Sequence, residues 1–302
     1  MPHTKPLFFR YLGSLFAIFL SVVSWQTRAE TPTFILTSIK PLALILQEAY
    51  GDLITVDYLL PPQASPHHYS LKPSDLRKLS KADLFVWAGP GLENFLLTVL
   101  KNNPADFQIA LIEEMEKSHP ELLIHLNALT EHTDSDHSHE DQLVDPHIWL
   151  NRENAAAIAQ LTGMRLEEAG ADPGRISMAF NTFEQKLTNL TGTQTTNLNE
   201  LQLITYHNAY AYLARDLNLT ITDIVTPQTD VNPGAKHLVQ LKQKAIDHPT
   251  CVIVEPQFSS KLVDKIFDQE GTKIIEIDPM AGQSATYTDF FSDTLRKLEN
   301  CK

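Results

Sequence analysis

The chain has 302 residues, 43% of them hydrophobic and 20% charged, with a formal net charge of −13. Such an acidic balance speaks against a nucleic-acid partner, since phosphates repel a negative field. The length accommodates two domains of ordinary size, and two cysteines, Cys251 and Cys301, are present.

Residues 1–29 carry Lys5 and Arg10, an apolar run from Leu12 to Val23, and the small-residue exit Thr27-Arg28-Ala29. This is the layout of a cleaved secretory signal peptide, and its apolar run falls short of the about 20 residues a membrane span needs. No Cys stands near the exit for lipid attachment, so the mature chain is expected free in its compartment. Losing Lys5, Arg10 and Arg28 takes three positive charges from −13 and leaves −16. Export puts Cys251 and Cys301 where a disulfide can form. Free thiols and zinc ligation are the alternatives, and distance from the histidines together with the oxidising compartment favours the disulfide.

Short β-branched runs then alternate with helical patterns. Strands are expected at Phe34 to Ser38, Ile54 to Leu60, Leu84 to Gly89 and Gln108 to Ile112. In the second half they are expected at Leu203 to Tyr206, Ile221 to Val225, Cys251 to Glu255 and Lys273 to Ile277. Helices are expected between them, as at Pro41 to Tyr50 and Leu92 to Leu100. This alternation predicts an α/β fold with two units, each built on a mostly parallel sheet. The lobes are expected at 30–172 and 201–302.

Between the units, Ile176, Phe180, Phe183, Leu187, Leu190, Leu198 and Leu201 recur at helical steps, and Asp172-Pro173 supplies a cap and a first-turn proline. A helix over 173–200 would be about 40 Å long and could bridge the units. Gly192 in the polar stretch Thr191 to Asn197 leaves a kink or an early end open.

Glu131 to Asp141 reads EHTDSDHSHED, with no apolar residue. Such a run cannot bury a core, and His132, His137 and His139 make it a weak auxiliary metal-capturing loop.

Of twelve histidines, three fall where chemistry collects. Ligands in open α/β sheets gather beyond the carboxyl ends of strands. His67 and His207 follow strands, Asp278 follows the last one, and His147 precedes the helical stretch near Asn151. Three imidazoles and a carboxylate suit tetrahedral Zn²⁺, whereas Ca²⁺ and Mg²⁺ want oxygen and Mn²⁺ wants more carboxylate. Each ligating ring is expected to donate its other N–H to a carboxylate or carbonyl. Glu255 also ends a strand and is a conceivable ligand, better read as a supporting acid. Trp87, Phe95 and Trp149 are read as core or cleft wall. A zinc hydrolase is disfavoured because no HExxH occurs; Leu143 stands where the second His after His139-Glu140 would be.

The segments ASPHHYSLKPSDL, ADLFVWAGPGLENFL, DPHIWLN, YHNAYAYLARDLNL, PGAKHL, CVIVEPQF and IDPMAG resemble the zinc-specific periplasmic binding proteins of ABC importers, the ZnuA type. The resemblance covers nearly the whole mature chain in matching order. It implies two α/β lobes joined by one long rigid helix, with Zn²⁺ between them as transported ligand and His67, His147, His207 and Asp278 as ligands. His68, the neighbour of the first ligand, stands where Asp is common. Pro66 replaces an acid frequent before the first ligand, leaving Asp278 or water as the fourth. Manganese-binding relatives usually carry Glu in place of His207, so His207 favours zinc over the manganese and iron members. The resemblance also implies a Cys251–Cys301 disulfide within the C-terminal lobe. It further implies a periplasmic, monomeric protein without enzymatic activity that serves an inner-membrane ABC permease and its ATPase subunit. An adhesin role, sometimes ascribed to relatives, ranks last because no anchor or surface repeat is present.

Overall fold

The computed structural model describes residues 33–126, 143–190, 198, 201–226, 233–247, 250–259, 261–267 and 272–301. The signal-peptide segment 1–29 and the acidic histidine loop 131–141 lie outside the described residues.

All eight expected strands form, displaced by a residue or two. They are β1 (Thr33–Thr37), β2 (Ile54–Tyr58), β3 (Leu84–Trp87), β4 (Gln108–Ala110), β5 (Gln202–Thr205), β6 (Thr220–Ile224), β7 (Thr250–Val254) and β8 (Thr272–Glu276). They make two four-stranded sheets with the orders β2-β1-β3-β4 and β6-β5-β7-β8. Every pairing is parallel. Both lobes therefore repeat one topology, and in each the direction of winding reverses between the first and third strands, β1/β3 and β5/β7.

Alternation along the strands sorts the core. In β7, Cys251 and Ile253 join the main core, while Val252 and Val254 join a smaller cluster with Leu241, Val263 and Phe267. The main core runs on from the first lobe into the second, taking in Tyr210, Tyr212, Tyr287 and Phe291. Cys251 and Cys301 form the expected disulfide, closing a separation of 50 residues.

Helix α1 (Lys40–Tyr50) forms as expected. The helix expected over Leu92 to Leu100 is broken into a 3-10 turn, Asn94–Leu96, and a single α turn, Leu97–Leu100. The stretch begins only after Glu93, whose backbone stands outside the helical region while its side chain turns into the lobe. Its carboxyl accepts from the Gly89 amide at 3.0 Å and lies 2.5 Å from Ser38 Oγ, which closes the ends of β1 and β3. The strand expected to reach Ile112 stops at Ala110, because Leu111 begins the helix Leu111–Ser118.

The helix Arg152–Glu168 starts on Asn151, whose side chain accepts from the Asn154 amide at 2.9 Å. The next helix, Pro173–Asn189, starts on Asp172, which caps the Arg175 amide at 2.8 Å. Its 17 residues span about 25 Å. Ile176, Phe183 and Leu187 are its buried face, and it packs along α1 and the helix before it. It ends at Asn189 with Leu190 as its C-cap, short of the expected 200, and Leu198 is not helical; 191–197, 199 and 200 lie outside the described residues. The last helix, Tyr287–Glu299, also reaches α1, where the Glu48 carboxylate accepts from the Thr288 amide and hydroxyl at 2.9 and 2.7 Å.

Candidate metal centre

His207 lies two residues beyond β5, and Glu255 directly follows β7. The parallel register brings these strand ends together at the winding reversal of the second lobe. His207 Nδ1 donates to Glu255 Oε1 at 2.6 Å, and both side chains are buried. The ring's Nε2 is thereby turned outward from the strand ends.

His147 reaches the same place from the first lobe. Asp145, two residues earlier and fully buried, accepts from the His147 amide at 3.0 Å and from its Nδ1 at 2.7 Å. One carboxylate oxygen thus makes a tight local turn and selects the tautomer that leaves Nε2 free. The segment is bonded to the second lobe on both sides. Tyr212 Oη donates to Asp145 O at 3.0 Å, Trp149 Nε1 to Pro279 O at 2.8 Å, and Tyr287 Oη to Trp149 O at 2.8 Å. The buried pair Arg152–Asp216, at 2.7 Å, adds a further tie.

His67 completes the group from the segment after β2. Its Nε2 stands 3.3 Å from His147 Nε2, and ring centroids among the three histidines are 5.3 to 5.8 Å apart. One nitrogen from each ring lies within 4.8 Å of the others. Burial holds the His67 imidazole down to about 3, helped by the neighbouring His147, His207 and His68 rings. A ring so placed stays neutral and keeps its lone pair for a cation. His68, its neighbour, is exposed and is not part of the group.

Asp278 sits beyond β8 but is not one of this group. Its Oδ1 accepts from Gln257 Nε2 at 2.7 Å and the Met280 amide at 3.0 Å, and its Oδ2 from the Gly282 amide at 2.7 Å. These three bonds hold the carboxylate in place beside the cavity wall residue Gln257. The three histidines, Glu255, Gln257, Trp149 and Met280 line a cavity of about 20 Å³. A surface groove of about 630 Å³ over Gln47, Glu48, Arg175, Met178 and Lys186 includes none of the histidines.

Trp149 is both cavity wall and lobe joint, Trp87 is buried core, and Phe95 packs edge-on against Tyr69 at 5.6 Å. Sequence reasoning passed over Asp145 and Gln257. Asp145 was within reach of it, since an Asp two residues before a ligating His can bond both that residue's amide and its ring. His132, His137 and His139 lie outside the described residues.

Comparison with known proteins adds the family. Residues 35–301 match the family model described as "ZnuA: Zinc-uptake complex component A periplasmic". The high-affinity zinc uptake system protein ZnuA of Yersinia pestis is 28% identical over 290 residues, covering 88% of this chain and 89% of that protein. A crystal structure of ZnuA superposes with a TM-score of 0.72 at 27% identity, covering 89% of this chain and 98% of that one. A zinc-bound ZnuA deletion mutant gives the same TM-score at 26% identity, with the same two coverages.

Proposed function

The chain belongs to the ZnuA family of periplasmic zinc-uptake components, and from that premise we propose that it captures Zn²⁺ in the periplasm and hands it to an inner-membrane ABC permease. His67, His147 and His207 hold the ion through Nε2.

One distance carries this reading. A tetrahedral zinc with bonds of about 2.0 to 2.1 Å keeps its nitrogen ligands about 3.3 to 3.4 Å apart. The Nε2 atoms of His67 and His147 stand 3.3 Å apart. A hydrogen bond between two imidazoles would span a similar distance, but it gives no reason for a third ring, brought from the other lobe, to join them. Three nitrogens and no carboxylate among the grouped donors also favour a late divalent metal over Mn²⁺.

Charge supports capture as well. Neutral imidazoles leave the ion its full double charge, and the Asp145 and Glu255 carboxylates behind two of the rings offset it. Each also fixes its ring, which typically matters 10- to 100-fold in metal affinity, as an order of magnitude. We assign no reaction at the metal. A hydrolase needs a free general base beside it, whereas Asp145 and Glu255 are each bonded to a ring nitrogen and Asp278 to Gln257 and two amides. Secretion through the 1–29 segment and an ATPase partner behind the permease complete the proposal.

Metal analysis of protein purified from its native compartment, followed by competition between Zn²⁺ and Mn²⁺, tests it. One zinc per chain and poor competition by Mn²⁺ are expected. Equal affinity for the two metals would overturn the assignment.

A further inference from the structure

Gln257 lies two residues beyond Glu255 in the cavity wall. Its amide orientation follows from its partners. Nε2 stands 2.9 Å from Pro62 O and 2.7 Å from Asp278 Oδ1, and both of those atoms can only accept. The nitrogen must therefore face them, and Oε1 must face the other way. Oε1 is buried and has no hydrogen-bond partner among the described residues. A buried acceptor left so is costly, which marks it as a position awaiting a donor.

The nearby chemistry identifies that donor. Three imidazoles leave one of a zinc ion's four positions open. No acid is among the grouped donors: Asp145 stands behind the His147 ring and Glu255 behind the His207 ring, and Asp278 is held by Gln257 and two amides. The cavity holds about 20 Å³, and about 10 to 15 Å³ suffices for one water. A water on a divalent cation is a strong hydrogen-bond donor and requires an acceptor.

Building on the zinc-capture reading, we propose that Gln257 Oε1 accepts a hydrogen bond from the water that completes the coordination of the captured ion. Gln257 is then a positioning residue with two functions in one amide. Its nitrogen ties the segment before His67 to Asp278 in the second lobe, and its oxygen sets the fourth position at the metal.

Two substitutions separate those functions. Gln257→Met removes donor and acceptor, whereas Gln257→Glu removes the donors and keeps an acceptor oxygen. With folding checked by melting of the metal-free proteins, Gln257→Met is expected to weaken Zn²⁺ binding by about 10-fold or more and to alter the visible spectrum of the Co²⁺-loaded protein. Gln257→Glu loses the tie to Asp278 and Pro62 but keeps an acceptor for the water, and is expected to bind Zn²⁺ more tightly than Gln257→Met. Equal weakening in both variants would reduce Gln257 to a lobe tie, and an unchanged Co²⁺ spectrum in Gln257→Met would equally overturn the inference. A crystal structure of the zinc-loaded wild type decides it independently of any variant. A water on the zinc within hydrogen-bond distance of Oε1 is expected, and Asp278 or Oε1 itself in the fourth position would refute the proposal while leaving zinc capture standing. Absence of zinc binding by the wild type would instead remove both readings.

Discussion

Glu93 offers a quantitative test of how the first lobe is closed. It is fully buried at the ends of β1 and β3, and burial pushes its carboxyl from 4.5 up to about 7 against the opposing hydrogen bonds from Ser38, Gly89 and Ala88. An acid whose folded value exceeds its unfolded one binds more protons in the folded state. Its stabilising contribution is therefore complete below about 4.5 and is lost as pH rises through about 7. Between those two values each pH unit removes about 1.36 kcal/mol, so the loss from pH 5 to pH 8 works out at about 2.5 kcal/mol. Gln in this place has the shape of the protonated acid, can accept from Gly89 and donate to Ser38, and does not titrate. Urea unfolding of the metal-free wild type and Glu93→Gln at pH 5 and pH 8 measures the difference directly, since all other groups are common to both. The wild type should lose about 2.5 kcal/mol relative to the variant between the two conditions. Parallel pH profiles would mean that Glu93 is ionised within the lobe and that the reasoning from burial is wrong.

Other outcomes follow from the site and its supports. In a competition titration with a chelating dye, His67→Ala, His147→Ala and His207→Ala should each weaken Zn²⁺ binding by orders of magnitude, and His68→Ala should leave it near wild type because that ring is exposed and outside the group. Asp145→Asn and Glu255→Gln should each reduce zinc affinity by about 10- to 100-fold while the metal-free fold persists, as calorimetry and melting would report together. Replacing Cys251 and Cys301 by Ser opens a 50-residue closure and should cost about 4 kcal/mol in urea unfolding, with the zinc titration unaltered. Deleting Glu131 to Asp141 should leave one tight zinc and abolish weaker equivalents, those being the ones lost as pH falls below about 6 because an unperturbed imidazole protonates near about 6.5; identical stoichiometry with and without the segment would make it a connector only.

Much of this molecule was legible in one dimension because its signals are local. Runs such as FILTS, LFVWAG and CVIVE are β-branched and apolar, and a parallel strand buried on both faces needs that composition. The Asp172-Pro173 start of the helix Pro173–Asn189 was equally local, and its side-chain cap and first-turn proline act within three residues. The Leu92 to Leu100 stretch was harder, because its apolar spacing is helical whereas its start is delayed to Asn94 by Glu93, which bonds to Ser38, 55 residues away.

The same division runs through the metal centre. Sequence alone identified His67, His147, His207, Asp278 and Glu255 as residues at the ends of elements, where an α/β sheet presents its chemistry. Which of them meet needed the tertiary structure. His67 and His147 come from one lobe and His207 from the other, and they meet because Trp149, Tyr212 and Tyr287 bond the lobes together around them. Asp278 has the chemistry of a ligand, yet its oxygens accept from Gln257, Met280 and Gly282. Residue type determines what an atom can bind, whereas its actual partner is set by distances between segments far apart in the chain, and those distances exist only once the two sheets have packed.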